Sequence, residues 1–231
     1  VDALDGADEV AFRCDTLEHT ATARLGAETQ LALRQPPAEF NVPRSDLPTP
    51  AETVVSVRIA SAETIEIHAG AASDYVQVFD SPGDDQLELS PGAGTVSGAA
   101  ATLRLFGFET IVAWSTSGGH DAAVMHDSPG NDFLYAVPGD VRLLGAGYAQ
   151  QLRGFEEIAV QATSGGRNLA ELHDSAMNDL LEAEALWCRL TSVEADYSHS
   201  LTGFRRVRAV SHAGLDTRRV AAGGDYLMTV G

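Results

Sequence analysis

One phrase recurs along this chain at a fixed step of 47 residues. Asp80-Ser81-Pro82-Gly83-Asp84-Asp85 returns as Asp127-Ser128-Pro129-Gly130-Asn131-Asp132 and again as Asp174-Ser175-Ala176-Met177-Asn178-Asp179. A second block keeps the same step: Gly107-Phe108-Glu109-Thr110-Ile111 returns as Gly154-Phe155-Glu156-Glu157-Ile158, each followed by Thr-Ser-Gly-Gly. Between 107–134 and 154–181, 15 of 28 positions are identical. A third copy, Gly203-Phe204-Arg205-Arg206-Val207, is offset by two residues. A unit this short cannot bury its own apolar face, so successive units must stack on one another, and the expected architecture is a solenoid.

Within a unit, apolar and polar residues alternate for four to seven positions, as in Ala122-Ala123-Val124-Met125-His126, and turn residues punctuate the runs. In Ser-Pro-Gly-Asp, Pro presets φ, Gly permits positive φ and Asp can close an Asx-turn. No segment carries a capped helical stripe. The reading is an all-β parallel β-helix, right-handed by the usual prior, with about two coils per 47-residue repeat. Equivalent residues of successive repeats would then stack along the axis, about 9.6 Å apart at the usual strand spacing.

The repeat is clear over residues 74–231, about three units, and degenerate over 1–73. Gln35 to Pro50, with five prolines, reads as an exposed loop that interrupts the ladder. Val1 and Gly231 both fall inside a unit, which predicts open ends that expose ladder hydrogen-bonding groups and favour stacking.

The formal charge is −18 and every one of the fifteen basic residues is arginine, so most of the surface should repel nucleic acid and anionic membranes. Residues 1–50 carry nine acids against four arginines, while 199–231 carry five arginines against two aspartates. That polarity favours head-to-tail contact between copies, and heterologous contact that does not close gives filaments. Cys14 and Cys188 lie 174 positions apart with no metal-ligand spacing, and their pairing is open. No apolar run has the roughly 20 residues of a membrane helix, so membrane insertion is not expected.

Asp80, Asp85, Asp127, Asp132, Asp174 and Asp179 form a repeated set of acidic turns. Each Asp capping its own turn is the simpler reading, and calcium, which takes several hard oxygens, is the cofactor the set would suit. His126 and His173 occupy equivalent positions and read as half-buried strand residues, with a metal as the sharper alternative; His68, His120 and His212 receive no role. Arg205, Arg206, Arg208, Arg218 and Arg219 are a candidate surface for end-to-end or anionic contact, or else a solvated face. A carbohydrate-active reading would use Arg142, Arg153 or Arg167 against a sugar acid, Tyr135 or Tyr148 as acid, and Trp114 or Trp187 as stacking platforms. No unique constellation interrupts the repeat in the way an active site would.

The phrases Phe/His-Asp-Ser-Pro-Gly-Asn/Asp-Asp and Gly-Phe-x-x-Ile/Val…Gly-Gly-x-Asp resemble a repeat of very large secreted or surface proteins of environmental bacteria, planctomycetes especially. Gly130-Asn131-Asp132-Phe133-Leu134-Tyr135 is more distantly similar to the calcium-binding nonapeptide of haemolysin-type repeats, from which it departs in not being in tandem. The resemblance implies an extracellular, repetitive, non-catalytic scaffold. The expectation is therefore a structural or adhesive protein of the cell exterior whose partner is itself or a surface polysaccharide, with a polysaccharide lyase, epimerase or glycosidase as the alternative.

Overall fold

A computed structural model describes residues 64–70, 73–99 and 101–221 in full. It adds the backbone of five strands outside them: β1 (Glu9–Arg13), β2 (Thr20–Arg24), β3 (Glu28–Arg34), β4 (Val55–Ala60) and β22 (Tyr226–Val230). The Pro-rich 35–50 segment, Cys14 and both chain ends lie outside the described residues. Between them run β5 (Thr64–His68) and β6 (Tyr75–Phe79), then three sets of five strands. The first set is β7 (Gln86–Ser90), β8 (Ala93–Ser97), β9 (Thr102–Phe106), β10 (Thr110–Trp114) and β11 (Ala122–His126). The second is β12 (Phe133–Val137), β13 (Asp140–Gly145), β14 (Tyr148–Arg153), β15 (Glu157–Gln161) and β16 (Leu169–His173). The third is β17 (Leu180–Glu184), β18 (Trp187–Ser192), β19 (Tyr197–Thr202), β20 (Arg206–Ser211) and β21 (Thr217–Val220). Among the described residues there is no helix.

The chain is a β-solenoid, as the repeat requires. Two facing sheets take the strands in the orders β1-β5-β9-β8-β7-β11-β15-β19-β18-β17-β21 and β22-β20-β16-β12-β13-β14-β10-β6-β2-β3-β4. Strands of successive coils pair in parallel, as β7 with β11 and β11 with β15. Each repeat also contains an antiparallel meander. After β6 the chain jumps ahead to β7, then folds back through β8 to β9, which fills the gap beside β5. β12–β14 and β17–β19 repeat the manoeuvre. The solenoid is thus parallel between coils and antiparallel within them.

This arrangement alters the expected stacking. A five-strand repeat crosses between the sheets three times, about one and a half coils where the sequence reading had about two. Because three is odd, each repeat starts in the sheet opposite to that of its predecessor. Equivalent residues therefore do not form one column. The Asp80 turn and the Asp174 turn lie on the edge where the chain leaves the sheet of β6 and β16, whereas the Asp127 turn lies on the opposite edge. At the usual strand spacing, two and a half strands per sheet advance the solenoid by about 12 Å per repeat.

Alternation explains the core. Strands such as β5, β6, β8 and β11 bury every second residue, and Ile65, Val78, Leu89, Leu103, Met125, Leu134 and Leu143 meet between the sheets. The Gly-Phe block supplies three phenyl rings, Phe108, Phe155 and Phe204, all buried where the chain turns from one sheet to the other. Cys188 is buried in β18, and loss of hydration pushes its thiol up to about 12.

Candidate functional site

The Ser-Pro-Gly-Asp turn brings its first and last acids to one point but gives them different work. Asp85 folds back on its own turn, accepting from the Ser81 amide at 2.9 Å and the Ser81 hydroxyl at 2.8 Å. Asp80 reaches the next coil and accepts from the amides of Thr116 and Ser117 at 2.7 and 2.6 Å. Asp121, from that next turn, reaches the other way: it accepts from the Asp85 amide at 2.8 Å and the Ser115 hydroxyl at 2.5 Å. The Asp121 amide in turn donates to Glu156 one coil further on, at 2.8 Å. Buried amides that no strand partner can reach are thus satisfied by side chains of neighbouring coils, which fixes the spacing of the coils.

The other two repeats build the same knot with changed parts. In the second, Asp132 accepts from Ser128 and from the Tyr148 hydroxyl at 2.8 Å, Asp127 accepts from the amides of Thr163 and Ser164, and Asn168 stands where Asp121 stood. Gly166 in this turn lies so close to the Gly130 carbonyl that a Cβ would overlap it, which is why the turn reads Gly-Gly. In the third, Asp179 accepts from Ser175 and Tyr197, Asp174 from the His212 amide, and Asp216 takes the Asp121 place. Burial and the hydrogen bond to the carboxylate push both phenols, Tyr148 and Tyr197, well above their usual range.

Two of the three knots concentrate charge. One oxygen from each of Asp80, Asp85 and Asp121 lies within 4.8 Å of the others, and the same holds for Asp174, Asp179 and Asp216. Burial raises the Asp85 carboxyl above the ordinary range; the Ser81 hydrogen bonds oppose this, and Asp121 and Asp80 add to it. These triads are the described residues whose donor set suits a hard cation such as calcium. The second knot differs, because Asn168, whose amide donates to Asp127 at 2.9 Å, stands where the other two knots have a third carboxylate. The third opens on a cavity of about 210 Å³ floored by Leu181, Leu190 and Ala209.

The six predicted aspartates are therefore brought together as three pairs, on alternate edges, rather than as one ladder. The sequence reading quoted Gly-Gly-x-Asp as a phrase but did not place its last residue, the third member of each knot, in the acidic set. Its signal was the residue two places beyond the Thr-Ser-Gly-Gly block: Asp121 and Asn168 stand 47 apart, and Asp216 follows at 48.

The other candidates are scattered. His126 pairs with Glu88 at 3.0 Å on the outer face of one sheet, while His173 lies on the other sheet against Glu171, so the two share no groove. Arg206 and Arg208 project from β20 in one sheet and Arg218 and Arg219 from β21 in the other, with Arg205 in the turn before β20. Arg208 meets Glu171 at 3.0 Å and Arg219 meets Glu182 at 3.1 Å. Trp114 is covered on its sheet by Phe79, stacked at 6.2 Å, and by the Arg153 guanidinium, 4.4 Å from the ring centre. Arg142 is held by Asp140 at 2.8 Å. Arg167 is exposed at the turn whose backbone Asn131 holds, and Trp187 is exposed on the outer face of β18.

Fold and knots together define a mixed-sheet β-solenoid whose coils are tied by buried aspartate turns. No family model matches this chain, and no curated protein or solved structure is significantly similar to it.

Proposed function

We propose that this chain is a non-catalytic structural or adhesive repeat scaffold of the cell exterior. The observation that carries the reading is the recurrence of one buried hydrogen-bonded knot in three successive repeats, with its acids accepting from backbone amides and hydroxyls of the turns they tie. Such carboxylates hold coils in register, and an active site would stand out as a departure from the pattern. Three of the residues a sugar-cleaving enzyme would use are otherwise engaged: Tyr148 is bound to Asp132, Arg142 to Asp140, and Trp114 lies between Phe79 and Arg153. Export is supported by the resemblance to secreted and surface repeats.

End-to-end contact between copies belongs to the same reading. Among the described residues β21 is the edge of its sheet, and all four of its residues are exposed. Arg218 pairs in register with Leu181, at a core-facing position where β11 has Ala123. An inward charge on an edge strand discourages an apolar junction, so contact at this end would be polar. Light scattering coupled to size exclusion, with negative-stain imaging, tests the assembly: oligomers that dissociate as salt rises support it, and a monodisperse monomer at every salt and calcium concentration removes it. A panel of acidic polysaccharides tests the rest, since release of unsaturated or reducing sugars would replace the scaffold with an enzyme.

A further inference from the structure

His173 ends β16 and His212 opens the turn after the neighbouring β20. Their rings are 5.1 Å apart, centre to centre, and tilted by 32°. Each ring has one nitrogen committed to a carboxylate: His173 Nε2 lies 2.8 Å from Glu171 Oε1, and His212 Nδ1 lies 3.0 Å from Asp174 Oδ1. A carboxylate oxygen accepts and does not donate, so in both contacts the ring nitrogen carries the proton.

The tautomers thus fixed have a consequence for the remaining nitrogens. His173 Nδ1 and His212 Nε2 lie 3.4 Å apart in hydrogen-bonding geometry. With the other nitrogen of each ring donating to a carboxylate, these two nitrogens turn their lone pairs toward one another, the arrangement of two imidazoles that share one ion. Two imidazoles bound to one tetrahedral zinc at the usual bond length place their nitrogens about 3.3 Å apart. The observed separation matches that bite. A histidine that binds metal through one nitrogen while donating from the other to a carboxylate is also the usual support of such sites, and here it occurs twice.

We propose that His173 and His212 form a two-histidine site for a divalent transition metal of the zinc class, with Glu171 and Asp174 orienting the rings and solvent completing the coordination. The site is reachable, since the His212 side chain is 50% exposed and that of His173 is 15% exposed. It shares Asp174 with the third carboxylate triad but differs from it in donor set, because imidazole favours zinc, copper or nickel and calcium takes oxygen. A bound ion would tie the β20–β21 turn, which carries Asp216, to β16.

The test is calorimetric titration of the chelator-stripped 231-residue chain with zinc chloride, repeated with cobalt, whose visible absorption reports nitrogen ligation. One ion per chain is expected, with affinity lowered at least tenfold in His173→Gln and in His212→Gln, and lowered by about 10- to 100-fold in Asp174→Asn. Asp121→Asn, in a different knot, should bind as the parent does. Thermal unfolding of His212→Gln near the parent's midpoint separates loss of ligand from loss of fold, and the cobalt spectrum of the parent reads the ligands without any variant. Zinc binding that survives both histidine changes overturns the proposal. So does an absence of binding, with NMR showing one proton shared between the rings.

Discussion

The side-chain amide of Asn168 donates to Asp127 at 2.9 Å, and in the repeat before it the same place is held by Asp121, a third carboxylate within 4.8 Å of Asp80 and Asp85. The protein thus contains both versions of one knot, an acid triad and an acid pair closed by an amide. Asp121→Asn should convert the first into the second. The repulsion among three buried carboxylates falls, and an amide hydrogen becomes available to Asp80 or to Ser115. The expected gain is about 1 kcal/mol, read as a rise of roughly 2–4 °C in the thermal midpoint in a chelating buffer. Millimolar calcium should raise the midpoint of the parent and shift the variant less. A variant that melts earlier than its parent in chelator contradicts the account of the triad as strained.

The same triad sets a pH dependence of definite sign. Burial, with Asp121 and Asp80 adding to it, raises the folded-state Asp85 carboxyl above its unfolded value, so the folded chain holds that proton more tightly than the unfolded chain. Stability associated with Asp85 therefore falls as pH climbs from the ordinary carboxylate value through the raised one. Urea denaturation between pH 3.5 and 7 should show this slope flattened in Asp121→Asn.

Gly154 fixes where one sheet hands the chain to the other. Its φ is +82°, its amide donates to the Gly139 carbonyl at 3.1 Å, and a Cβ on it would overlap the Ser115 carbonyl oxygen of the preceding coil. Gly154→Ala combines a left-handed backbone with a backbone collision, so the coils must part to admit it. A loss of about 3 kcal/mol or more in denaturant unfolding is expected. A loss under about 1 kcal/mol would mean that the coils are less closely packed than this contact requires.

The repeat, the strands and the Asp-Ser-Pro-Gly turns were legible because each is local: alternation over five residues and turn chemistry over four need no knowledge of what lies across the molecule. The meander was not. Nothing in Phe133–Val137 distinguishes a strand that will pair in parallel with β16 from one that will also pair antiparallel with β13, since its alternation serves either. The sheet swap followed from that omission, because with an even number of crossings Asp80, Asp127 and Asp174 would have lined one edge. Asp121 and Asn168 belonged to a repeated block, yet their partners Asp85 and Asp132 lie 36 residues away, one coil behind, and only the three-dimensional pairing identifies them. His212 escaped for the same reason, its contact with His173 depending on the register of β16 against β20.

Cys188 should be inert in the folded chain. It is buried beneath β18 with its thiol pushed up to about 12, so little thiolate forms at pH 8 and none is accessible. A thiol-reactive probe should label it only on the timescale of unfolding, with the denaturant dependence of that process. Rapid labelling under native conditions would show that β17–β19 opens locally.

His199 and Gln150 occupy the same position of successive repeats, two residues after the buried Tyr197 and Tyr148 and two before the buried Leu201 and Leu152, where the first repeat has Leu103. Both are buried, and the ring nitrogens of His199 and the amide atoms of Gln150 have no hydrogen-bond partner. The residues opposite His199 in its own sheet are Ile158 and Leu190, which offer it no hydrogen bond. Burial alone lowers the His199 ring to about 4. The folded-state value lies below the unfolded one, so between about pH 6.5 and 4 the unfolded chain binds more protons and stability falls with acidity. The shift corresponds to about 3 kcal/mol lost between neutrality and pH 4. His199→Leu restores the residue type of the first repeat, removes two unsatisfied polar atoms and abolishes the titration. It should be more stable than the parent at pH 7 by about 1–3 kcal/mol, and by a still larger margin at pH 4. If the parent and His199→Leu lose stability in parallel on acidification, the ring is not buried and neutral in the core.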